Sequence, residues 1–276
     1  MPEEKLGKLK GLLEKMGSVL ISYSGGVDST FLLKVATDVL KDKVLAVTAR
    51  SPTYPEREYL EAREQAQRLG VRSLSIFTDE LSRHEFASNT PDRCYWCKRE
   101  LFAKLQEIAR QENIGWVVDG SNFDDLKDFR PGMKAAQEMG IRSPLCEVGL
   151  TKEEIRLLSR NMGLSTWDKA SFACLASRIP YGTSITREVL EKINRAEEFL
   201  LSLGLHQVRV RHHGEIARIE AEPQDMEQIV RRRQEVAGRL KALGYVYIVI
   251  DLEGYRSGSL NQMLEGTNCG DFETGK

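Results

Sequence analysis

Six consecutive residues carry the first chemistry of this chain: Ser24-Gly25-Gly26-Val27-Asp28-Ser29. Two glycines, lacking Cβ atoms, let the backbone turn sharply and come close to an anion. The amides released at such a turn, with the N-terminus of a following helix, aim positive partial charge at that anion. Ser24 and Ser29 add hydroxyl donors, and Asp28 can hold a metal ion or order the loop. The motif has no lysine, which separates it from the Walker loop and its Gly-Lys-Ser/Thr. Sulfur is the second chemistry. Cys94 and Cys97 are spaced C-x-x-C, and Cys174 sits in Ser171-Phe172-Ala173-Cys174-Leu175-Ala176-Ser177-Arg178. The C-x-x-C spacing suits a redox pair, half a zinc site or two ligands of an iron–sulfur cluster. Cys174 reads either as a small buried hydrophobe or as a thiolate favoured by Lys169 and Arg178.

These groups need a scaffold, and the apolar pattern supplies one. Residues 4–16 form an amphipathic helix, with Leu6, Leu9, Leu12 and Leu13 at helical spacing. The run Ser18–Tyr23 is a strand that feeds the glycine loop, and Thr30–Ala36 begins the helix after it. Val44–Thr48, Ser73–Phe77 and Trp116–Val118 are further short apolar strands. Helices are predicted between them, over Glu56 to Leu69 and from about Arg99 to Gln111, and another from Thr151 to about Met162 behind a capping-box start. Such alternation predicts an α/β domain with a parallel sheet covered on both faces. Ligands of such sheets sit at the carboxyl ends of the strands, where the glycine loop falls. The polar turn Asp119-Gly120-Ser121-Asn122-Phe123-Asp124-Asp125 follows the Trp116 strand and either faces the same cleft or, given its Asp and Asn content, is a solvated turn. The alternation stops near Trp167-Asp168-Lys169, so domains are expected over 1–168 and 169–276. The second is a smaller α+β unit: helix 187–203, strands 206–211 and 215–221, helix 224–243 and strand 245–250. The Gly-rich polar end reads as a loose tail.

Composition narrows the class. The 276 residues carry a formal net charge of -1, with 41% hydrophobic and 29% charged residues. That balance argues against a dedicated nucleic-acid binder. No apolar run reaches the roughly 20 residues that span a membrane, and the first residues lack the apolar stretch of a signal peptide. A cytoplasmic protein is expected. Its five cysteines, including Cys146 and Cys269, then point to metal binding or catalysis rather than disulfides. Arg209 and Arg211, two apart on a strand, share a face that suits an anion, or they line a solvated surface. Glu197, on the preceding helix, is placed to accept a metal or pair with those arginines. Ser177 and Arg178 adjoin Cys174 and suit a phosphate. Trp96 can stack on a cationic ring or belong to the core, and His212 and His213 have no partner spacing that makes them ligands.

The glycine loop resembles the pyrophosphate loop of the N-type ATP pyrophosphatases, which cleave ATP between the α and β phosphates and adenylate an oxygen. Four more segments extend the likeness: Asp119-Gly120-Ser121-Asn122, Arg130-Pro131-Gly132, Cys174-Leu175-Ala176-Ser177-Arg178-Ile179-Pro180-Tyr181-Gly182 and Arg209-Val210-Arg211. Together they resemble the LarE family, ATP-dependent sulfur transferases that make the nickel-pincer nucleotide cofactor of lactate racemase. The resemblance covers nearly the whole chain. It implies ATP with Mg2+ on Ser24, Gly25, Gly26, Asp28, Ser29, Gly120, Asn122 and Asp125, and a nucleotide substrate near Trp96, Ser177, Arg178, Glu197, Arg209 and Arg211. It implies adenylation of a carboxylate of pyridinium-3,5-biscarboxylic acid mononucleotide, then displacement of AMP by sulfur. In one branch of the family the residue at Cys174 gives up its own sulfur. In the other, three cysteines hold a [4Fe-4S] cluster, the pattern of Cys94, Cys97 and Cys174. A homo-oligomer is implied, with other nickel-pincer pathway proteins as partners. A different adenylating enzyme of the same fold, a tRNA thiolase or an amidotransferase-type synthetase, is the alternative.

Overall fold

The computed structural model describes residues 1–127, 131–170, 172–256 and 259–261. Arg130, Ser171, Cys269 and most of the predicted tail of the sequence reading lie outside them. The chain divides into two compact units. The first is Met1–Ala87 with Pro91–Ala173; the second is Ser88–Thr90 with the chain from Cys174 onward.

In the first unit, β1 (Val19–Ser22), β2 (Val44–Arg50), β3 (Ser73–Phe77) and β4 (Trp116–Val118) form one parallel sheet in the order β3-β2-β1-β4. β1 is bonded along both edges, in register Val19↔Val44 and Val19↔Trp116. Strand periodicity of two sends its side chains to two cores. Val19 and Ile21 enter one core with Leu9 and Leu13 of α1 (Pro2–Met16), Phe31 of α2 (Val27–Leu40) and Ala62 of α3 (Glu56–Arg68). Leu20 enters the other with Phe102 and Leu105. Each large apolar side chain buried this way contributes about 1.5–3 kcal/mol. Helices therefore cover both faces, as the unbroken apolar strands require.

The segment after β3 departs from expectation. A short α4 (His84–Ala87) precedes α5, which begins at Arg93 and runs to Gln111, a turn and a half before the expected start. Its apolar face starts only at Phe102, so periodicity misses the first turns. The Tyr95 amide bonds the Asp92 carbonyl at 2.8 Å, and Trp96 Nε1 bonds Asp92 Oδ2 at 3.1 Å. Cys94-Tyr95-Trp96-Cys97 is thus helical. After β4 come α6 (Pro131–Glu138), α7 (Pro144–Glu147) and α8 (Lys152–Asn161). The capping box of α8 is formed: the Thr151 hydroxyl accepts from the Glu154 amide at 3.3 Å, and Glu154 Oε2 accepts from the Thr151 amide at 2.9 Å.

In the second unit, α9 (Arg187–Ser202) packs on β5 (Val208–His213), which forms an antiparallel hairpin with β6 (Ile216–Ala221). β7 (Tyr247–Ile250) lies parallel to β6, giving a three-stranded mixed sheet in the order β5-β6-β7. The single helix expected over 224–243 is two, α10 (Pro223–Arg231) and α11 (Arg233–Ala242). The polar run Arg231-Arg232-Arg233-Gln234-Glu235 offers no apolar side chain to hold one continuous helix on the sheet. Ile229 before it and Val236 and Leu240 after it reach the same core.

His212 of β5 is buried, with Nδ1 3.3 Å from the Tyr245 hydroxyl. Burial, then positive Lys192 and His213, holds its imidazole below the usual range. The unfolded chain takes up this proton near pH 6.5, the folded one only at lower pH. The His212 contribution is therefore complete above about pH 6.5 and shrinks as pH falls through that value. Urea midpoints at neutral and mildly acidic pH should converge in His212→Gln relative to the parent; an unchanged acid sensitivity would refute this.

Candidate active site

The glycine loop joins the carboxyl end of β1 to α2. Gly26 is the N-cap, with extended φ −78° and ψ 170°, so the α2 amides open toward the loop. Gly25 has φ +70°, and a Cβ there would lie 2.7 Å from Ala62 Cβ and 2.8 Å from Ala62 Cα. Glycine is demanded twice over, by backbone sign and by the close approach of α3. Ser24 Oγ and Ser29 Oγ are 3.1 Å apart, and Ser29 donates to the Gly26 carbonyl at 3.3 Å. The Tyr54 hydroxyl donates to the Ser24 carbonyl at 3.3 Å. The result is a tight loop with its backbone amides at a helix N-terminus.

The polar turn after β4 meets this loop. A Cβ on Gly120 would come within 3.0 Å of the Ser29 amide nitrogen, so the two loops touch backbone to backbone. Asp119 accepts from Ser143 at 2.7 Å and from the Ser121 hydroxyl at 2.9 Å. Asn122 and Asp125 shape the turn: the Asn122 amide donates to Asp125 Oδ2 at 3.0 Å, and Asn122 Oδ1 accepts from the Asp124 amide at 2.9 Å. Lys152, which sequence reasoning treated only as part of a capping box, places its Nζ 2.6 Å from Asp28 Oδ2. The other oxygen, Asp28 Oδ1, is buried without a hydrogen-bond partner. No local signal joins residues 124 apart in sequence.

Cys94 and Cys97 lie one turn apart on α5, Cys94 exposed and Cys97 half-buried. Cys97 Sγ is 3.8 Å from Oε1 of buried Glu80, which also accepts from Ser51 at 2.6 Å and Thr78 at 2.8 Å. Trp96, between them, makes an edge contact with Tyr95 and lies 5.9 Å under the Arg99 guanidinium. Among the described residues no group of three or more His, Cys, Asp or Glu side chains is arranged to hold a metal ion.

In the second unit, Cys174 caps a 3-10 turn, Leu175–Arg178, that carries Ser177 and Arg178. Arg178 is 2% exposed and grips Glu197 with two bonds, 2.8 and 2.9 Å. It also donates to the Cys174 carbonyl at 3.2 Å and to Ser177 Oγ at 3.0 Å. Glu197 accepts the Val210 amide at 2.9 Å as well. Arg211 pairs in the same two-pronged way with Glu220, at 2.9 and 2.8 Å, and donates to the Ser177 carbonyl at 2.6 Å. Arg209 lies over the Tyr255 ring; burial and then the Arg178 charge push its guanidinium below the usual arginine range. Arg209 and Arg211 are buried, so the solvated-face alternative is excluded. A cavity of about 270 Å³ is lined by Arg178, Arg211, His213, Arg218 and Ser259. Glu220 and Arg218, which the sequence reading missed, complete this charged cluster.

Comparison with known proteins decides the family. The family model for NAD synthase matches residues 7–111, the stretch holding the glycine loop. The chain is 44% identical to the uncharacterized protein slr1717 of Synechocystis sp., over 96% of this chain and 99% of that one. It is 37% identical to the pyridinium-3,5-bisthiocarboxylic acid mononucleotide synthase of Lactiplantibacillus plantarum, over 97% of this chain and 98% of that one. The chain belongs to the LarE family of PP-loop ATP pyrophosphatases. Similarity to the argininosuccinate synthase of Pyrococcus furiosus, at 28% identity, spans 55% of this chain and 40% of that one. The LarE likeness, by contrast, covers nearly the whole of both chains. Among the described residues no helix is long and apolar enough to cross a membrane.

Proposed function

We propose that the chain is an ATP-dependent sulfur transferase that converts pyridinium-3,5-biscarboxylic acid mononucleotide to its thiocarboxylates, serving nickel-pincer cofactor assembly. The observation that carries this is the end-to-end likeness to the L. plantarum synthase. In this reading the ATP phosphates rest on the loop amides and the α2 N-terminus, with Ser24 and Ser29 as hydroxyl donors. Asp28, with one buried oxygen lacking a hydrogen bond, suits Mg2+, which takes one or two carboxylates beside phosphate oxygens. A substrate carboxylate oxygen attacks the α-phosphorus, the bond to the β-phosphate bridge breaks, and pyrophosphate leaves. Sulfide then attacks the acyl carbon, and the bond to AMP breaks. Carboxylate oxygen, a poor leaving group, has become a good one. Ser177, Arg178, Arg209 and Arg211 are assigned to the substrate phosphate, with Glu197 fixing Arg178 and Trp96 stacking on the pyridinium ring.

For the sulfur source we propose a [4Fe-4S] cluster on Cys94, Cys97 and Cys174. Two thiols one helical turn apart on α5 fit two thiolate ligands of such a group. When bound, the cluster supplies sulfide at an iron that lacks a protein ligand. The alternative is that Cys174 gives up its own sulfur and is spent after one turnover. We further propose that the chain works as a homo-oligomer. Anaerobically purified protein should release pyrophosphate and AMP from ATP only with the carboxylated substrate, and should hold about four irons per chain that are lost on Cys94→Ala. No substrate-dependent pyrophosphate would overturn the activity. Iron-free protein whose mass falls by one hydrogen sulfide after turnover would shift the source to Cys174.

A further inference from the structure

We propose that Tyr54 is a positioning residue for both halves of the reaction: its hydroxyl orients the glycine loop for the phosphates, and its ring seats the segment that leads to Cys174. The inference rests on the proposed function and holds for either sulfur source. The residues that carry it, from Ser24 to Phe172, lie in the first unit. Tyr54 stands in the turn between β2 and α3, where its amide donates to the Ser51 carbonyl at 3.1 Å. The Ser51 hydroxyl in turn donates to buried Glu80 at 2.6 Å. The base of the tyrosine is therefore fixed apart from anything its side chain does.

The Tyr54 hydroxyl donates to the Ser24 carbonyl at 3.3 Å. In a trans peptide the carbonyl and the following N–H point in opposite directions. Holding the Ser24 carbonyl toward Tyr54 turns the Gly25 N–H away from it, and among the described residues that amide meets no acceptor. An oriented, unengaged amide beside a helix N-terminus suits an anion. The Tyr54 ring has a second task. It meets Phe172 edge to face, with centroids 5.2 Å apart and planes at 88°, a geometry that ring quadrupoles favour. Phe172 continues two earlier fastenings on the approach to Cys174. Arg156 holds the carbonyls of Trp167 and Lys169 at 2.8 and 2.9 Å. The Lys169 ammonium pairs with Glu58 and Glu61 of α3 at 2.8 Å each. Ala62 of that same helix backs Gly25. One helix and the tyrosine just ahead of it brace both the loop and the residues leading to Cys174, two positions after Phe172.

The competing reading is an aromatic contact that only packs the turn after β2. Anaerobic full-chain enzyme given MgATP and the carboxylated mononucleotide separates the two, with AMP and thiocarboxylate measured together. Tyr54→Phe keeps the ring and loses the hydroxyl. It should raise KM for ATP roughly 2- to 10-fold, the usual weight of one hydrogen bond, with thiocarboxylate per AMP unchanged. Phe172→Leu should leave KM for ATP unchanged and lower thiocarboxylate per AMP roughly 2-fold or more, the cost of a displaced reacting group. Water then attacks the acyl carbon in place of sulfur, and the carboxylate returns as AMP leaves. Tyr54→Leu, which removes the ring from the other side, should show both effects. An unchanged KM in Tyr54→Phe would overturn the assignment. So would AMP and thiocarboxylate that stay in the parent's ratio in Phe172→Leu and Tyr54→Leu. A parent protein that forms no substrate-dependent AMP would overturn the proposed function itself, and this inference with it.

Discussion

Gly25→Val should abolish MgATP binding and lower stability by roughly 2–5 kcal/mol. Two costs add. A left-handed conformation costs a side-chain-bearing residue about 1–2 kcal/mol, and φ at Gly25 is +70°. Overpacking adds about 1–3 kcal/mol, because the new Cβ would sit 2.7 Å from Ala62 Cβ and 2.8 Å from its Cα. Neither neighbour is a flexible tip that can turn away, so the loop or α3 must move. A typical domain has only about 5–15 kcal/mol to lose. Gly17→Val is the control: φ there is +73° with nothing within 4 Å of an added Cβ, so only the first cost applies and binding should persist. Gly26 makes a different case. Its φ of −78° is open to any residue, and an added Cβ meets only Ser24 Oγ at 3.5 Å. If glycine at 26 serves the approach of the proposed nucleotide, Gly26→Ala should lose affinity with little change in stability. A Gly25→Val protein that titrates with MgATP like the parent would refute the account.

Glu197→Ala should destabilise the second unit by roughly 3–5 kcal/mol. It leaves the Arg178 guanidinium, 2% exposed, without its two-pronged partner and strips the Val210 amide of its acceptor. Removing both charges is gentler than removing one, because the expense lies in the stranded charge. Arg178→Met with Glu197→Leu should therefore regain much of the stability in chemical denaturation. The same double variant should stay inactive, if Arg178 contacts the substrate phosphate as proposed. A Glu197→Ala midpoint close to the parent would show that the pair contributes nothing.

The sheet of the first unit is legible because its strands are short and bounded by helical patterns, and its inner strands β1 and β2 are apolar and buried, although the edge strand β3 is largely exposed. β3 and β4 were read residue for residue, and the capping box announced α8. The helical start around Cys94–Cys97 was not legible, since its side chains point to no core and leave no periodic trace. The break at Arg232 was hidden for the opposite reason: helix-forming residues continue through it while the apolar stripe lapses. Among the candidate site residues, those in contiguous motifs are named from their order alone. Lys152 and Glu80 escape a sequence reading because their partners, Asp28 and Ser51, lie far away in sequence, and Glu220 because its pairing with Arg211 depends on the register of the β5–β6 hairpin. Charge pairing carries no periodicity that a one-dimensional reading can detect.

The small excursion Ser88–Thr90, assigned to the second unit, bears on how the protein is made. Asn89 is fully buried with φ +57°, and its amide nitrogen lies 3.3, 2.8 and 2.9 Å from the carbonyls of Ile179, Pro180 and Thr183. Its own carbonyl receives the Gly182 amide at 3.1 Å. A residue at position 89 thus plugs a turn at 179–183, some 90 residues later in the chain. The second unit is not a separable module, because a fragment cut at Cys174 would lack this plug. Synthesis from the N-terminus delivers the plug before the socket, so the turn at 179–183 can close only on a residue made about 90 positions earlier.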